Sequence, residues 1–219
     1  KQGLVFISNH DEGAGFDSLL EIGAAMAVIT TCPGAILLAQ GSTEGLTVRF
    51  SADTNIPMDK FQQMTAEQEL KDVYFQEYIS KLTRIWNLPV LRDPRSSVID
   101  PTIEVSQNNQ VLPLGNPRYD KVYRIARRYK QDSVLAVVNF QPHMIGEKII
   151  IRNIAETYGI DKDTLNQYCF VNLLTGELVP IESNELELLP LSTNEGYFLG
   201  HDVYLYAIVH HSVINPPDI

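Results

Sequence analysis

The chain is 219 residues long and 44% hydrophobic, and its 27 acidic and 17 basic side chains give a formal net charge of −10. That length and apolar content can bury a sizeable core in one or two domains. An acidic surface with no basic stripe argues against nucleic acid as a partner, and no apolar run approaches the roughly 20 residues of a membrane span.

From the start of the chain, Leu4-Val5-Phe6-Ile7 reads as a strand covered on both faces, as in the inner sheet of an α/β barrel. It delivers Asn9-His10-Asp11 to the strand's end, where barrel chemistry collects. Glu12-Gly13-Ala14-Gly15 reads as the following loop. Asp17-Ser18 then caps a helix with Leu19, Leu20, Ile22, Met26 and Ile29 on its apolar side, and Cys32-Pro33-Gly34 breaks it. Ala35-Ile36-Leu37-Leu38-Ala39 is a second buried strand, closed by the polar loop Gln40-Gly41-Ser42-Thr43-Glu44-Gly45. The stretch Gly45 to Gln68 is a long loop, read equally well as a substrate contact or a plain surface segment. A helix carrying Val73, Phe75, Tyr78, Ile79, Leu82 and Trp86 follows, so the order is two consecutive βα units.

From about Asp93 the chain changes to short β-rich runs separated by turn residues, the signature of an antiparallel sandwich. Val122 to Tyr129 and Val134 to Phe140 form a hairpin around Lys130-Gln131-Asp132-Ser133. Lys148 to Ile151, Tyr168 to Leu174, Leu186 to Leu191 and Val203 to Val209 supply further strands, with Thr175-Gly176-Glu177 as a turn. Arg124, Arg127, Arg128 and Lys130 alternate across one strand and read as a solvated edge. Tyr197, Phe198, Tyr204 and Tyr206 suit a sandwich core better than a sugar-stacking platform. His210-His211 has no Cys or acidic partner at ligand spacing, so no metal is expected there, and no cofactor motif is present. Cys32 and Cys169 fall in different expected domains, so no disulfide is expected between them.

Phe6-Ile7-Ser8-Asn9-His10-Asp11 resembles the Phe-x-x-Asn-His-Asp motif that ends the seventh barrel strand of the α-amylase family of glycoside hydrolases. Cys32-Pro33-Gly34, the Ile36 to Ala39 strand and Gln40-Gly41 resemble that family's eighth strand. Gln40 stands where the family has Tyr, and Glu44 falls one place late. Pro89-Val90-Leu91-Arg92 resembles the exit of the last barrel helix. Ile125 to Tyr129, Val137 to Phe140 and Asn172 to Glu177 resemble the β-domain that follows the barrel. The resemblance implies an α+β, multi-domain chain. Residues 1–92 would form the last two βα units of a (β/α) barrel, and residues 94–219 an antiparallel β-sandwich.

The same resemblance implies that Asp11 is the transition-state-stabilising carboxylate, with His10 and Asn9 binding substrate. The nucleophile and acid/base of a retaining mechanism, about 5 Å apart, would lie upstream of Lys1. The expected function is therefore the C-terminal fragment of an α-glucan-active glycosidase or transglycosidase, inactive alone, with an α-glucan or maltooligosaccharide as substrate. The alternative is a non-catalytic carbohydrate-binding or structural sandwich module. Unpaired barrel edges would be covered by the N-terminal part of the barrel. In the isolated chain they would be hidden by dimerisation, swapping or refolding of the leading segment.

Overall fold

The computed structural model describes residues 3–6, 8–9, 13–14, 19–37, 73–108, 110–117, 120–140, 146–188 and 203–213. The leading part is β1 (Gly3–Phe6), β2 (Ser8–Asn9), β3 (Gly13–Ala14), α1 (Leu19–Thr31), β4 (Gly34–Leu37), α2 (Val73–Trp86) and α3 (Pro89–Arg92). Strands β1 and β4 pair in parallel, Gly3 opposite Gly34 and Phe6 opposite Leu37, with α1 as their crossover. The expected βαβ order is therefore present. It ends α1 at the expected breaker, because the Pro33 ring cannot continue a helix.

Helix α1 is buried nearly all round, from Ile22 to Thr31 with Val28 alone half-buried. Tyr78 of α2 is fully buried, and its hydroxyl donates to the Gly23 carbonyl of α1 at 3.0 Å. Phe75, Ile79, Leu82 and Ile85 complete the inward stripe of α2, at the spacing of one helical face. Pro89 opens α3 at a position where its missing N–H costs nothing, and Val90 and Leu91 are buried.

The rest is β5 (Ser97–Ile99), β6 (Ile103–Gln107), β7 (Gln110–Pro113), β8 (Val122–Tyr129), β9 (Asp132–Asn139), β10 (Lys148–Arg152), α4 (Ile154–Tyr158), β11 (Tyr168–Asn172), β12 (Leu178–Pro180), β13 (Glu185–Leu188) and β14 (Val203–His210). They form a six-stranded antiparallel sheet in the order β12-β11-β14-β9-β8-β5 and a four-stranded one in the order β13-β10-β6-β7. The β8–β9 turn is tighter than expected: Tyr129 pairs with Asp132, leaving only Lys130-Gln131, and Lys130 takes a left-handed φ of 55°. The Thr175 turn closes as expected, with Gly176 at φ 79° and the buried Asn172 Oδ1 accepting from the Leu174 and Thr175 amides.

Alternation along the strands builds two cores. Ile103, Val105, Leu135, Val137, Ile149, Ile151, Phe170, Tyr204 and Tyr206 meet between the two sheets. Val134, Ala136, Val138, Ile125, Val203 and Leu205, on the other face of the six-stranded sheet, meet α1, α2 and α3. The six-stranded sheet is thus covered on both faces, and for this reason Ser133 to Asn139 of β9 are all buried. Tyr204 and Tyr206 are core side chains, as expected, whereas Tyr197, Phe198 and residues 189–191 lie outside the described residues.

The expectation of a solvated edge for the arginine cluster is wrong. Strand β8 lies between β9 and β5, and Arg127 is 2% exposed. Its alternation stands: Arg127 faces the helices, while Arg128 reaches the opposite layer. There an added Cβ on Gly159 would lie 2.5 Å from Arg128 Nη1, and φ at Gly159 is 69°, so the position closing α4 excludes a side chain twice over.

Tyr158 marks a local conflict in the inter-sheet core. Its ring packs edge-on against Phe170 at 5.9 Å, and its hydroxyl is buried without a hydrogen-bond partner. Burial pushes the phenol well above its ordinary value. An unpaired buried hydroxyl costs about 1–3 kcal/mol, while an apolar group of the same shape costs nothing comparable. Tyr158→Phe is therefore expected to raise stability by about 1 kcal/mol in urea unfolding; a loss of that size would mean the hydroxyl has a partner.

Candidate functional site

Chemistry in an α/β barrel sits at the carboxyl ends of its parallel strands, and the amino ends serve stability. Here the carboxyl ends are Phe6 and Leu37, directly opposite each other. Two residues beyond Phe6, β2 pairs with β3 in antiparallel fashion, Ser8 opposite Ala14 and Asn9 opposite Gly13. Gly13 and Ala14, expected in a loop, are therefore ladder residues. Asn9 stands at the carboxyl end of the parallel pair, and the three-residue segment between Asn9 and Gly13 contains His10 and Asp11. His10, Asp11, the Gln40 to Gly45 loop and the Gly45 to Gln68 segment all lie outside the described residues. Of the three motif residues, Asn9 alone is among the described residues; it follows β1 by two residues and pairs with Gly13.

The amino end of β4 carries a polar cluster that the sequence reading did not identify. Buried Arg127 donates from Nη1 to the Thr31 carbonyl at 3.1 Å, from Nη2 to the Leu91 carbonyl at 3.4 Å, and from Nε to Ser96 Oγ at 3.2 Å. Ser96 Oγ passes the chain on to the Arg128 carbonyl at 3.3 Å. Beside it, Tyr123 Oη lies 3.4 Å from Cys32 Sγ. Burial pushes the Tyr123 phenol well above its ordinary value and, conversely, pulls the Arg127 guanidinium down.

Perturbed groups in a cluster are candidates for catalysis. This cluster is structural on geometry. Thr31 ends α1 and Leu91 lies in the last turn of α3, and such helix-terminal carbonyls have no partner within their own helices. A guanidinium satisfies both and also complements the negative ends of two helix dipoles. The cluster also sits three residues before Gly34, at the stability end of the parallel pair. The available signal was an arginine in register with Tyr123 and Ile125 on an otherwise apolar strand face.

Of the remaining sequence candidates, Cys32 belongs to this cluster, whereas Cys169 and His210 lie on β11 and β14. Cys32 and Cys169 are both free thiols, and Cys169 is buried with Sγ 3.7 Å from the Val209 carbonyl. His210 contacts Ser212 and Gln167 at the end of β14. Among the described residues no group of three His, Cys, Asp or Glu side chains could hold a metal, and no helix is long and apolar enough to cross a membrane.

The parallel βαβ lead followed by a two-sheet sandwich is similar in fold to part of several solved α-amylases. The α-amylase from Anoxybacillus matches with a TM-score of 0.57 at 12% identity, over 94% of this chain and 38% of that one. The Geobacillus thermoleovorans α-amylase, solved with acarbose, matches with a TM-score of 0.53 at 14% identity, over 95% and 39%. AmyP, solved with maltose, matches with a TM-score of 0.58 at 15% identity, over 94% and 40%. The chain therefore spans about two fifths of the length of these structures. No family model matches it, and no curated protein matches it in sequence.

The structural role of Arg127 has a direct test. Arg127→Met fills the volume but leaves helix-terminal carbonyls buried without donors, for an expected loss of about 2–4 kcal/mol. Arg124→Met, on the same strand, removes only the exposed pair with Asp100 at 2.8 Å and should cost less than about 1 kcal/mol. Urea midpoints of the two variants measure the contrast, and equal losses would contradict it.

Proposed function

We propose that this chain is the C-terminal portion of an α-glucan-active glycoside hydrolase or transglycosidase of the α-amylase type. Residues 1–92 would supply the last two βα units of its barrel and residues 94–219 the following sandwich. The observation that carries this reading is the joint match of fold and motif. Some 94–95% of the chain follows α-amylase structures, and the Asn9-His10-Asp11 motif follows directly from the strand that should carry it. AmyP is solved with maltose and, as an E221Q variant, with maltotriose. Those ligands support α-linked glucose oligosaccharides as the substrate class of the enzyme to which this chain would belong.

In this reading Asp11 faces the developing positive charge of an oxocarbenium-like transition state, and His10 and Asn9 hold hydroxyls of the same sugar. A carboxylate there acts electrostatically: its attraction grows as the anomeric carbon loses its leaving group, so it stabilises the transition state more than the bound substrate. Hydrolysis with retention needs two further carboxyl groups, one nucleophile and one acid/base, about 5 Å apart. They belong to the part of such an enzyme that this chain does not span. The parallel edges of β1 and β4 would be completed by the same missing part of the barrel.

The test has two arms. The 219-residue chain alone is expected to give no release of reducing sugar from maltooligosaccharides above buffer. In the enzyme that contains it, Asp11→Asn should lower kcat by about 10²–10³-fold while KM moves little, because one pre-organised electrostatic group is lost. His10→Ala should cost less. If Asp11 only capped a helix, the variant would instead keep its turnover and lose about 1 kcal/mol of stability.

A further inference from the structure

Every edge strand of the sandwich carries a device against further pairing. In the six-stranded sheet the edge strands β12 and β5 are three residues long, and β12 ends in Pro180, which has no N–H to offer. In the four-stranded sheet β7 ends in Pro113, and β13 carries Glu185 and Glu187. The outer face of that sheet also closes on itself. Ile150 alternates with the core residues Ile149 and Ile151 and stands between Glu104 and Glu187, yet it is only 6% exposed. Arg152 bridges Glu104, at 2.8 Å, and Glu185, while Lys148 reaches Glu187 at 2.6 Å, so the stems of charged side chains cover it.

The parallel pair has no such device. Among the described residues β1 and β4 pair only with each other, and Gly3-Leu4-Val5-Phe6 and Gly34-Ala35-Ile36-Leu37 contain neither charge nor Pro. A two-stranded sheet is marginal in water, and parallel strands belong to larger, covered sheets. The helices of the same segment are already anchored, because α1, α2 and α3 share an apolar cluster with β8, β9 and β14 and Arg127 holds two of their ends. A body fixed by other contacts thus presents two unguarded edges.

We propose that the outer edges of β1 and β4 are a docking surface for a separate polypeptide carrying the other parallel βα units of the same barrel, so that the enzyme can assemble from two chains. The identity of that partner rests on the α-amylase-type reading above. A second copy related by a two-fold axis would cover one edge of each copy and leave the other open. A run of parallel βα units starts against one edge and returns against the other, and a closed barrel has no edges left. The matched α-amylases are long enough to supply such a run, since this chain follows only 38% and 39% of two of them.

The test produces the rest of the enzyme and this 219-residue chain as two polypeptides in one cell. Sedimentation is expected to show an equimolar complex, and the complex should release reducing sugar from maltooligosaccharides, which neither part does alone. Val5→Lys, which puts a charge into β1, should abolish the complex. Val98→Lys and Val111→Lys, at exposed positions on the guarded strands β5 and β7, should leave it unchanged. Should Val5→Lys fail to fold, the unsubstituted pair still decides. Absence of a complex, with the single-chain enzyme active, would overturn the docking surface and leave the functional reading intact. A dimer of this chain that the other part does not dissociate would overturn it too, as would a complex lost in Val98→Lys or Val111→Lys but kept in Val5→Lys. A complex without turnover, matched by an inactive single-chain enzyme, would uphold the surface and remove the glucan reading.

Discussion

The arrangement of this molecule depends on one charge taken out of water. Arg127 sits on the helix-facing side of β8, 2% exposed, and its fork reaches the carbonyls at the ends of α1 and α3. An isolated guanidinium at that depth would be prohibitive. Carbonyls at helix ends, equally unpartnered within their helices, are what makes it tolerable. Each side of the contact needs the other. The helical layer can therefore close on the sheet in one register, because any slide of α1 along β8 would separate Thr31 from the guanidinium. Apolar packing alone, being non-directional, would permit neighbouring registers.

That constraint follows from the use of both faces of the six-stranded sheet. Facing the small sheet, it places Leu135, Val137, Tyr204 and Tyr206 in the sandwich core; facing the helices, it places Val134, Ala136, Val138 and Leu205. Residues from both halves of the chain thus share one apolar cluster. The βα segment is not an appendage of the sandwich: its helices cover a face that would otherwise expose a continuous apolar surface. The division of labour is also spatial. The buried polar cluster lies toward the amino end of β4, whereas Asn9 follows the carboxyl end of β1.

The sequence was most legible where periodicity and breakers agreed. The apolar run before Asn9, the Cys32-Pro33-Gly34 stop and the 3.6-residue stripe of α2 each pointed to one local structure. The β8–β9 hairpin and the Thr175-Gly176 turn were equally plain. Strands β5, β7 and β12 were not, because they are three or four residues long and bounded or ended by Pro94, Pro101, Pro113 and Pro180, too short to show alternation. Arg127 was misread because charge on a strand usually means solvent. Only the tertiary fold, by bringing two helix ends to that strand, makes burial of the charge favourable. Gly13-Ala14 was read as loop on composition, since a two-residue ladder leaves no pattern. At the candidate site the motif named Asn9, His10 and Asp11, of which Asn9 alone is among the described residues.

If the shared sheet and the Arg127 contact bind both halves, the chain unfolds as one cooperative unit. Trp86 is the single tryptophan and lies in α2, so its fluorescence reports the helical layer alone, while far-UV circular dichroism reports the whole chain. Urea unfolding followed by both signals should give one midpoint and one slope. A fluorescence transition that runs ahead of the dichroism transition would show that the helical layer is held only loosely to the sandwich, and would contradict the account.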